Sequence, residues 1–368
     1  MNKTPHNCLN NDKIFIIAEA GKNFIQTENG RPISEYLENA KKLVLEAKKA
    51  GADAIKFQTH NVYDEQLDIN VISSHFKSSD RYSWVTRNTL ATPMEFWTEL
   101  KNFCDKIGII FFSTPMSRGA AKKINHLIPF WKVGSGDILD FVMLDYLADT
   151  KKPIILSSGM STLEETDLAI NFLKKRGAEI HLLHCVSKYP CAPEDLKLNT
   201  IPFLNERYGI RTGFSDHSLN ITSVLVAVSL GAKIVEKHFS LDRNLWGSDH
   251  KVSLIPKEMA ELVKKVRSLE KNHQLKEKIA TLYKKNIYED EGKDLQEGEA
   301  VFRPLFRKSL IIACDIKADE KITSEKIYAM RPQKYIEGLP SEDYEKILNK
   351  PALKDIKKYC PISKELIT

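Results

Sequence analysis

The sequence reads as an α/β chain, a (β/α)8 TIM barrel followed by a small C-terminal β-rich domain. Three observations point there. Short strand-like apolar runs alternate with helix-like segments from residue 14 onward, there are eight such runs, and nearly every run ends in a polar or charged residue. Parallel strands joined by helical crossovers produce this alternation, and eight repeats within about 250 residues suit a barrel better than the doubly wound open sheet that is the runner-up. A barrel also gathers all eight strand ends on one rim, where the fold keeps its active sites.

The strands are expected at IFIIAEA (14–20), DAIKFQT (53–59), IIFFST (109–114), FWKVGSG (130–136), PIILSSG (153–159), IHLLHCV (180–186), RTGFSD (211–216) and KIVEKHFS (233–240). Between them lie segments with helical apolar spacing, such as ISEYLENAKKLVLEAKKAG and TLEETDLAINFLKKRG. Several close on a glycine (Gly51, Gly108, Gly177, Gly231), the residue that most readily takes the left-handed stop of a helix. Beyond residue 272 the alternation ends in a charged, weakly periodic stretch. From Arg307 short β-like pieces (SLIIACDI, EKITSEKIYAMRP) follow, broken by EGLP and NKPALKDIKKYCPI. The expected division is a barrel domain over 1–285, a linker over 286–306 and a small domain over 307–368.

Composition narrows the function. With 42% hydrophobic and 28% charged residues in 368, the chain is ordinary globular material, not a disordered or collagen-like one. Its net charge of +6 is spread along the whole length, too diffuse for a nucleic-acid footprint yet suited to small anionic substrates. No apolar run approaches the about twenty residues needed to cross a bilayer, so no membrane partner is expected. The polar start MNKTPHNCLNND lacks the apolar core of a secretion signal, and six scattered cysteines without a C-x-x-C pair indicate neither a disulfide framework nor a zinc knuckle. A reducing, cytoplasmic setting is expected.

The strand ends carry the candidate chemistry. His217 and His238 end the seventh and eighth strands, neighbours in a barrel, and two imidazoles side by side suit a first-row divalent metal with positions left open for substrate oxygens. Asp216 and Glu236 are expected as carboxylates supporting them, Glu236 sharing a strand face with His238. Lys56 and Lys132 sit inside β-runs, where an ammonium is costly without an anion. With Thr114, Ser135 and Ser157 they form a donor set of the kind phosphate and carboxylate require. Glu19 and Gln58 on the first two strands, and Ser215 on the seventh, complete the rim. Cys185 and Cys191 read as core thiols, His184 as a structural polar contact, and the G-S-G at 134–136 and S-S-G-M at 157–160 as exits where backbone approaches a ligand closely.

The ordered motifs I-I-A-E-A-G-K-N, K-F-Q-T, F-S-T-P, K-V-G-S-G-D, L-S-S-G-M, L-H-C-V-S-K-Y-P, G-F-S-D-H-S and E-K-H-F-S-L resemble the bacterial sialic acid synthase family over nearly the whole chain. The tail, R-K-S-L with D-I-K-x-x-E-x-I-T-x-E-K-I, R-P and G-L-P, is similar to that family's antifreeze-like (SAF) domain. The resemblance implies condensation of phosphoenolpyruvate with an open-chain N-acyl hexosamine, giving a nine-carbon 2-keto sugar acid and phosphate, with a divalent metal (Mn2+ or Mg2+) on His217 and His238. It implies phosphoenolpyruvate contacts at Lys56, Thr114, Lys132, Ser135, Ser157, Ser187 and Ser215. Amino-sugar contacts are implied at Glu19, Gln58, Tyr189 and Asp249. Arg307 is implied as an arginine lent by the other subunit of a domain-swapped homodimer. Three positions depart from the family pattern: Phe24 for a histidine in a lengthened G-K-N loop, Asp137 for Glu after G-S-G, and Ser187 for Asn before Tyr-Pro. A phosphoenolpyruvate synthase acting on arabinose or erythrose phosphates is a rival, but lacks such a tail; a non-catalytic carbohydrate-binding protein is another.

Overall fold

The computed structural model describes residues 8–69, 80–285 and 292–367. Eight parallel strands run β1 (Phe15–Gly21), β2 (Ala54–Thr59), β3 (Ile110–Pro115), β4 (Trp131–Val133), β5 (Ile154–Ser157), β6 (Ile180–Cys185), β7 (Thr212–Asp216) and β8 (Ile234–His238). They pair in the order β3-β2-β1-β8-β7-β6-β5-β4. β3 and β4 lie against each other and complete the ring, so the architecture is the (β/α)8 barrel. Each expected strand is present; β4 is shortest, because Ser135–Asp137 turns into a 3-10 helix instead of continuing it.

The two-residue period of a strand decides which side chains meet the rim and which meet the helices. In β2, Lys56 and Gln58 point inward while Phe57 packs outward against Phe24, Trp97 and Phe111, with ring centroids 6.0 to 6.3 Å away. Phe24 is therefore a core residue: it is 1% exposed and also packs on Tyr36 and Phe96. Asn23 holds the same loop to the end of β8, its Nδ2 donating to the Phe239 carbonyl at 2.8 Å and to Ser253 Oγ at 3.2 Å. Four of the described helices are capped by a side chain, from Asp80, Ser117, Asp140 and Thr162, and Thr162 and Glu165 form a reciprocal capping box at the start of Leu163–Lys175.

The stretch expected as a linker is structured where it is described. Residues 286–291 lie outside the described residues, but Glu297–Ala300 and Arg303–Phe306 are short helices seated on the barrel mouth. Glu299, 1% exposed, accepts from the backbone N–H groups of Met160 and Ser187 at 2.9 and 2.8 Å. The tail carries an antiparallel pair, β9 (Ser309–Ile312) and β10 (Ile327–Met330), and a reciprocal clasp. Lys317 pairs with Asp355 and Lys357 with Asp315, each at 2.7 Å, across the Ile316–Ile356 bridge.

This small domain docks on the barrel of its own chain through buried charge. Lys308 Nζ lies 2.9 Å from Asp137 and 2.6 Å from Asp140, and Arg331 closes on Asp137. Asp137, which departs from the family pattern, is thus the carboxylate on which the tail is anchored. Among the described residues no helix is long and apolar enough to cross a membrane, and all six cysteines are free thiols.

Candidate active site

One cavity of about 200 Å3 opens at the C-terminal rim of the barrel. It is lined by Glu19, Lys56, Gln58, Thr114, Lys132, Ser135, Ser157, Tyr189, Ser215, His217, Glu236, His238 and Asp249, residues scattered over more than two hundred positions of sequence. Strand register explains the convergence. Glu19 stands level with Lys56 on one side and His238 on the other, Gln58 with Thr114, and Ser215 with both Cys185 and Glu236.

Two lysines and two glutamates interlock at the floor. Lys56 Nζ lies 2.6 Å from Glu19 Oε2 and 3.7 Å from Glu236, and donates to Thr114 Oγ1 at 2.9 Å. Lys132 Nζ donates to Ser157 Oγ at 2.6 Å and lies 3.9 Å from Glu236, which accepts from Ser215 Oγ at 3.1 Å. Burial lowers Lys132 against the pull of Glu236. Burial would likewise raise Glu236, but Lys132 and Lys56 outweigh it and hold the carboxyl below its ordinary value. Glu19 behaves differently. Burial, reinforced by Glu236 and opposed by Lys56, pushes it up to about 7, so that near neutrality it exchanges a proton. The floor is an anion pocket whose lysines hold internal counter-ions.

Beside them, at the ends of β7 and β8, the rings of His217 and His238 lie 5.3 Å apart. His217 Nδ1 donates to the Val186 carbonyl at 2.9 Å, which leaves its Nε2 as a lone-pair donor. His238 is held neutral, burial bringing it down to about 3, and its buried Nδ1 has no hydrogen-bond partner. Burial would lower His217, but Cys185 outweighs it and raises the ring above its ordinary value; with its Nδ1 pinned and a nitrogen of His238 orphaned, the pair can take a divalent cation once His217 is deprotonated. Among the described residues no group of three His, Cys, Asp or Glu side chains is arranged to hold a metal ion. Tyr189 lays its ring 4.2 Å from that of His217. Asp249 faces Lys22 at 4.0 Å; burial would raise it, but Lys22 and His238 keep it at about 2.

One expectation is corrected, and others are refined. Asp216 does not support a histidine. It points outward between β7 and the helices, where it binds Lys237 Nζ at 2.7 Å, Ser223 Oγ at 2.7 Å and the Ser218 N–H at 2.7 Å. Parity is the reason: His217 and Ser215 face in, so the residue between them faces out. Within this chain Arg307 donates to the Met160 carbonyl at 2.7 Å and pairs with Glu165 at 3.0 Å. The tail arginine tied to a lining residue is Arg331, fully buried on Asp137 and over the Phe306 ring. Cys185, read as core, is buried but lines the cavity beside Ser135. Ser187 is buried behind the lining, where a side chain on Gly159 would strike it together with Ser135 and Cys185. His184 matches its structural reading, Nε2 donating to the Leu196 carbonyl at 2.7 Å.

Lys22, inside the G-K-N motif, also lines the cavity, as do His60, Arg81, Phe302 and Phe306, which belong to no quoted motif. The one usable signal was the F-R-P-L-F aromatic pair inside an otherwise charged linker.

A ring of parallel strands whose C-terminal rim brings two lysines, two carboxylates, hydroxyls and paired imidazoles into one cavity defines an enzyme of the (β/α)8 class. The sequence places it further: residues 43–278 match the NeuB family, and the chain belongs to that family. It is 33% identical over 358 residues to the N,N'-diacetyllegionaminic acid synthase of Campylobacter jejuni, covering 94% of this chain and 97% of that one. It is 32% identical to the pseudaminic acid synthase of the same organism, with 94% of each covered. Among solved structures, a spore coat polysaccharide biosynthesis protein from Bacillus subtilis superposes with a TM-score of 0.75 at 30% identity, covering 97% of this chain and 95% of that one. The chain is thus an acid synthase of the sialic acid type.

Proposed function

We propose that this cavity condenses phosphoenolpyruvate with an open-chain N-acyl hexosamine, N-acetylmannosamine or a 2,4-diacetamido relative, to give a nine-carbon 2-keto sugar acid and phosphate. The observation that carries the reading is the pairing, in one cavity, of a two-lysine anion pocket with two adjacent imidazoles. Lys56 and Lys132, with the hydroxyls of Thr114, Ser135, Ser157 and Ser215, bind the phosphate and carboxylate of phosphoenolpyruvate, displacing the internal contacts to Glu19 and Glu236. Glu19, Gln58, Tyr189 and Asp249 border the space left for the sugar. A divalent metal such as Mn2+ or Mg2+ held by His217 and His238 would supply Lewis-acid polarisation of the sugar aldehyde.

In the reaction C3 of phosphoenolpyruvate attacks the aldehyde carbon, forming the new C–C bond. Glu19, able to exchange a proton near neutral pH, protonates the aldehyde oxygen as it becomes a hydroxyl. Water adds at C2, and phosphate leaves with the bridging oxygen as the C2–O bond breaks. The linker residues Phe302 and Phe306 line the mouth of the cavity.

A domain-swapped homodimer would deliver the same tail contacts from a second copy; a Lys308→Ala subunit mixed with a His217→Ala subunit regains turnover only if the tail is exchanged. The chemistry is tested with phosphoenolpyruvate carrying 18O in the bridging position. Label recovered in phosphate supports C–O cleavage, and label retained in the sugar acid overturns it.

A further inference from the structure

His60 follows β2, lines the cavity and takes no part in the steps above. Its ring is 1% exposed, and Nδ1 lies 2.8 and 3.0 Å from the two carboxylate oxygens of Glu65, whose side chain is wholly buried. Burial would raise Glu65, but His60, Arg331 and Arg81 outweigh it and hold the carboxyl at about 2. An ionised carboxylate there fixes the proton on Nδ1. Burial, with Lys22 and Arg81 nearby, keeps the imidazole itself neutral against the pull of Glu65. Nε2 is therefore a bare acceptor, and it is buried without a hydrogen-bond partner. A buried acceptor left unpaired is costly, and sites keep such atoms where a ligand brings the donor.

The dyad is also held from the tail. The Arg331 N–H donates to the Glu65 carbonyl at 2.9 Å, and the Leu67 N–H returns a bond to the Arg331 carbonyl at 3.0 Å. Trp84 stands edge-on to the His60 ring at 5.6 Å and carries the Lys22 ammonium over its face at 4.1 Å.

We propose that His60 is a specificity-determining residue whose Nε2 accepts a hydrogen bond from an N–H or O–H of the acceptor sugar. Glu65 is its positioning residue, and the docked tail strand holds Glu65 in place. The inference rests on reading this cavity as the site where phosphoenolpyruvate meets an amino sugar.

The test uses the full-length protein with His60→Phe, His60→Gln and Glu65→Gln. His60→Phe raises the acceptor KM by about ten- to a hundredfold while kcat and the phosphoenolpyruvate KM stay within about twofold. His60→Gln, which keeps an acceptor oxygen, recovers most of the loss, and Glu65→Gln, which frees the tautomer, falls between. In 15N spectra of the resting wild type, the His60 proton sits on Nδ1. A proton on Nε2, a shift in the phosphoenolpyruvate KM instead, or a fall in kcat with both KM values unchanged overturns the proposal, as does His60→Gln no better than His60→Phe. A wild type that releases no phosphate with any amino sugar overturns the reading of the cavity. A working wild type whose acceptor KM is unmoved by His60→Phe overturns this inference alone.

Discussion

Lys237 sits between the two strand-end residues Glu236 and His238 but faces the other way, and replacing it with methionine probes how the imidazole pair is held. Its ammonium and the Asp216 carboxylate have no exposed side-chain surface and meet at 2.7 Å. Lys237 also donates to the Ser218 and Asn220 carbonyls at 2.5 and 3.2 Å, so one cation ties the loop after β7 to β8. Lys237→Met leaves Asp216 charged and dry, a change that costs about 3 to 5 kcal/mol when a buried pair loses one partner. Asp216 keeps its bonds from the Ser218 N–H and from the Ser218 and Ser223 hydroxyls at 2.7, 3.1 and 2.7 Å, which places the loss near the lower end, about 3 kcal/mol. Adding Asp216→Asn removes the stranded charge and returns about 1 to 2 kcal/mol. Urea midpoints followed by tryptophan fluorescence measure Lys237→Met, Asp216→Asn and the double variant. A Lys237→Met midpoint equal to wild type, or a double variant as unstable as the two single losses combined, would refute the idea that this pair braces the histidines.

Other outcomes are equally direct. His217→Ala or His238→Ala abolishes turnover, and excess chelator does the same to the wild type; full activity in chelator contradicts the two-imidazole site. Lys56→Met raises the phosphoenolpyruvate KM by about ten- to a hundredfold and the sugar KM much less; the reverse pattern assigns Lys56 to the other substrate. Asp64, pushed up to about 6 by burial despite bonds from Ser117 and the Gly119 N–H, favours the folded state in its protonated form. Its stabilisation is present below pH about 4 and lost as pH rises through about 6, at most about 3 kcal/mol. Thermal midpoints of wild type and Asp64→Asn should therefore diverge between pH 4 and 7, and parallel curves would show that Asp64 ionises normally.

The barrel was legible because each parallel strand, covered on both sides, appears as a short apolar run interrupted only where the chain reaches the rim. Lys56 and Lys132 stood out for the same reason, as ammoniums inside β-runs. Parity within a run was harder to see: Asp216 and His217 are adjacent in sequence yet lie on opposite faces, and only the register of β7 against β8 assigns the carboxylate to Lys237. The tail was legible as a separate domain but not in how it docks. Arg307 and Arg331 are both buried arginines with different partners: Arg307, like Arg303, pairs with the capping-box residue Glu165, and Arg331 with the lining residue Asp137. His60 and Glu65 form a dyad only because the chain turns into a short helix, Val62–Glu65, just past β2.

The central claim is that the two-lysine pocket and the imidazole pair together join phosphoenolpyruvate to an amino sugar. The most direct measurement is phosphate release by the purified protein with phosphoenolpyruvate, Mn2+ or Mg2+ and a panel of N-acetylmannosamine, 2,4-diacetamido hexoses and arabinose or erythrose phosphates, with product masses determined. The account predicts metal-dependent phosphate release matched one to one by a nine-carbon sugar acid from an N-acyl hexosamine. Release with a sugar phosphate alone, or with no sugar at all, would contradict it.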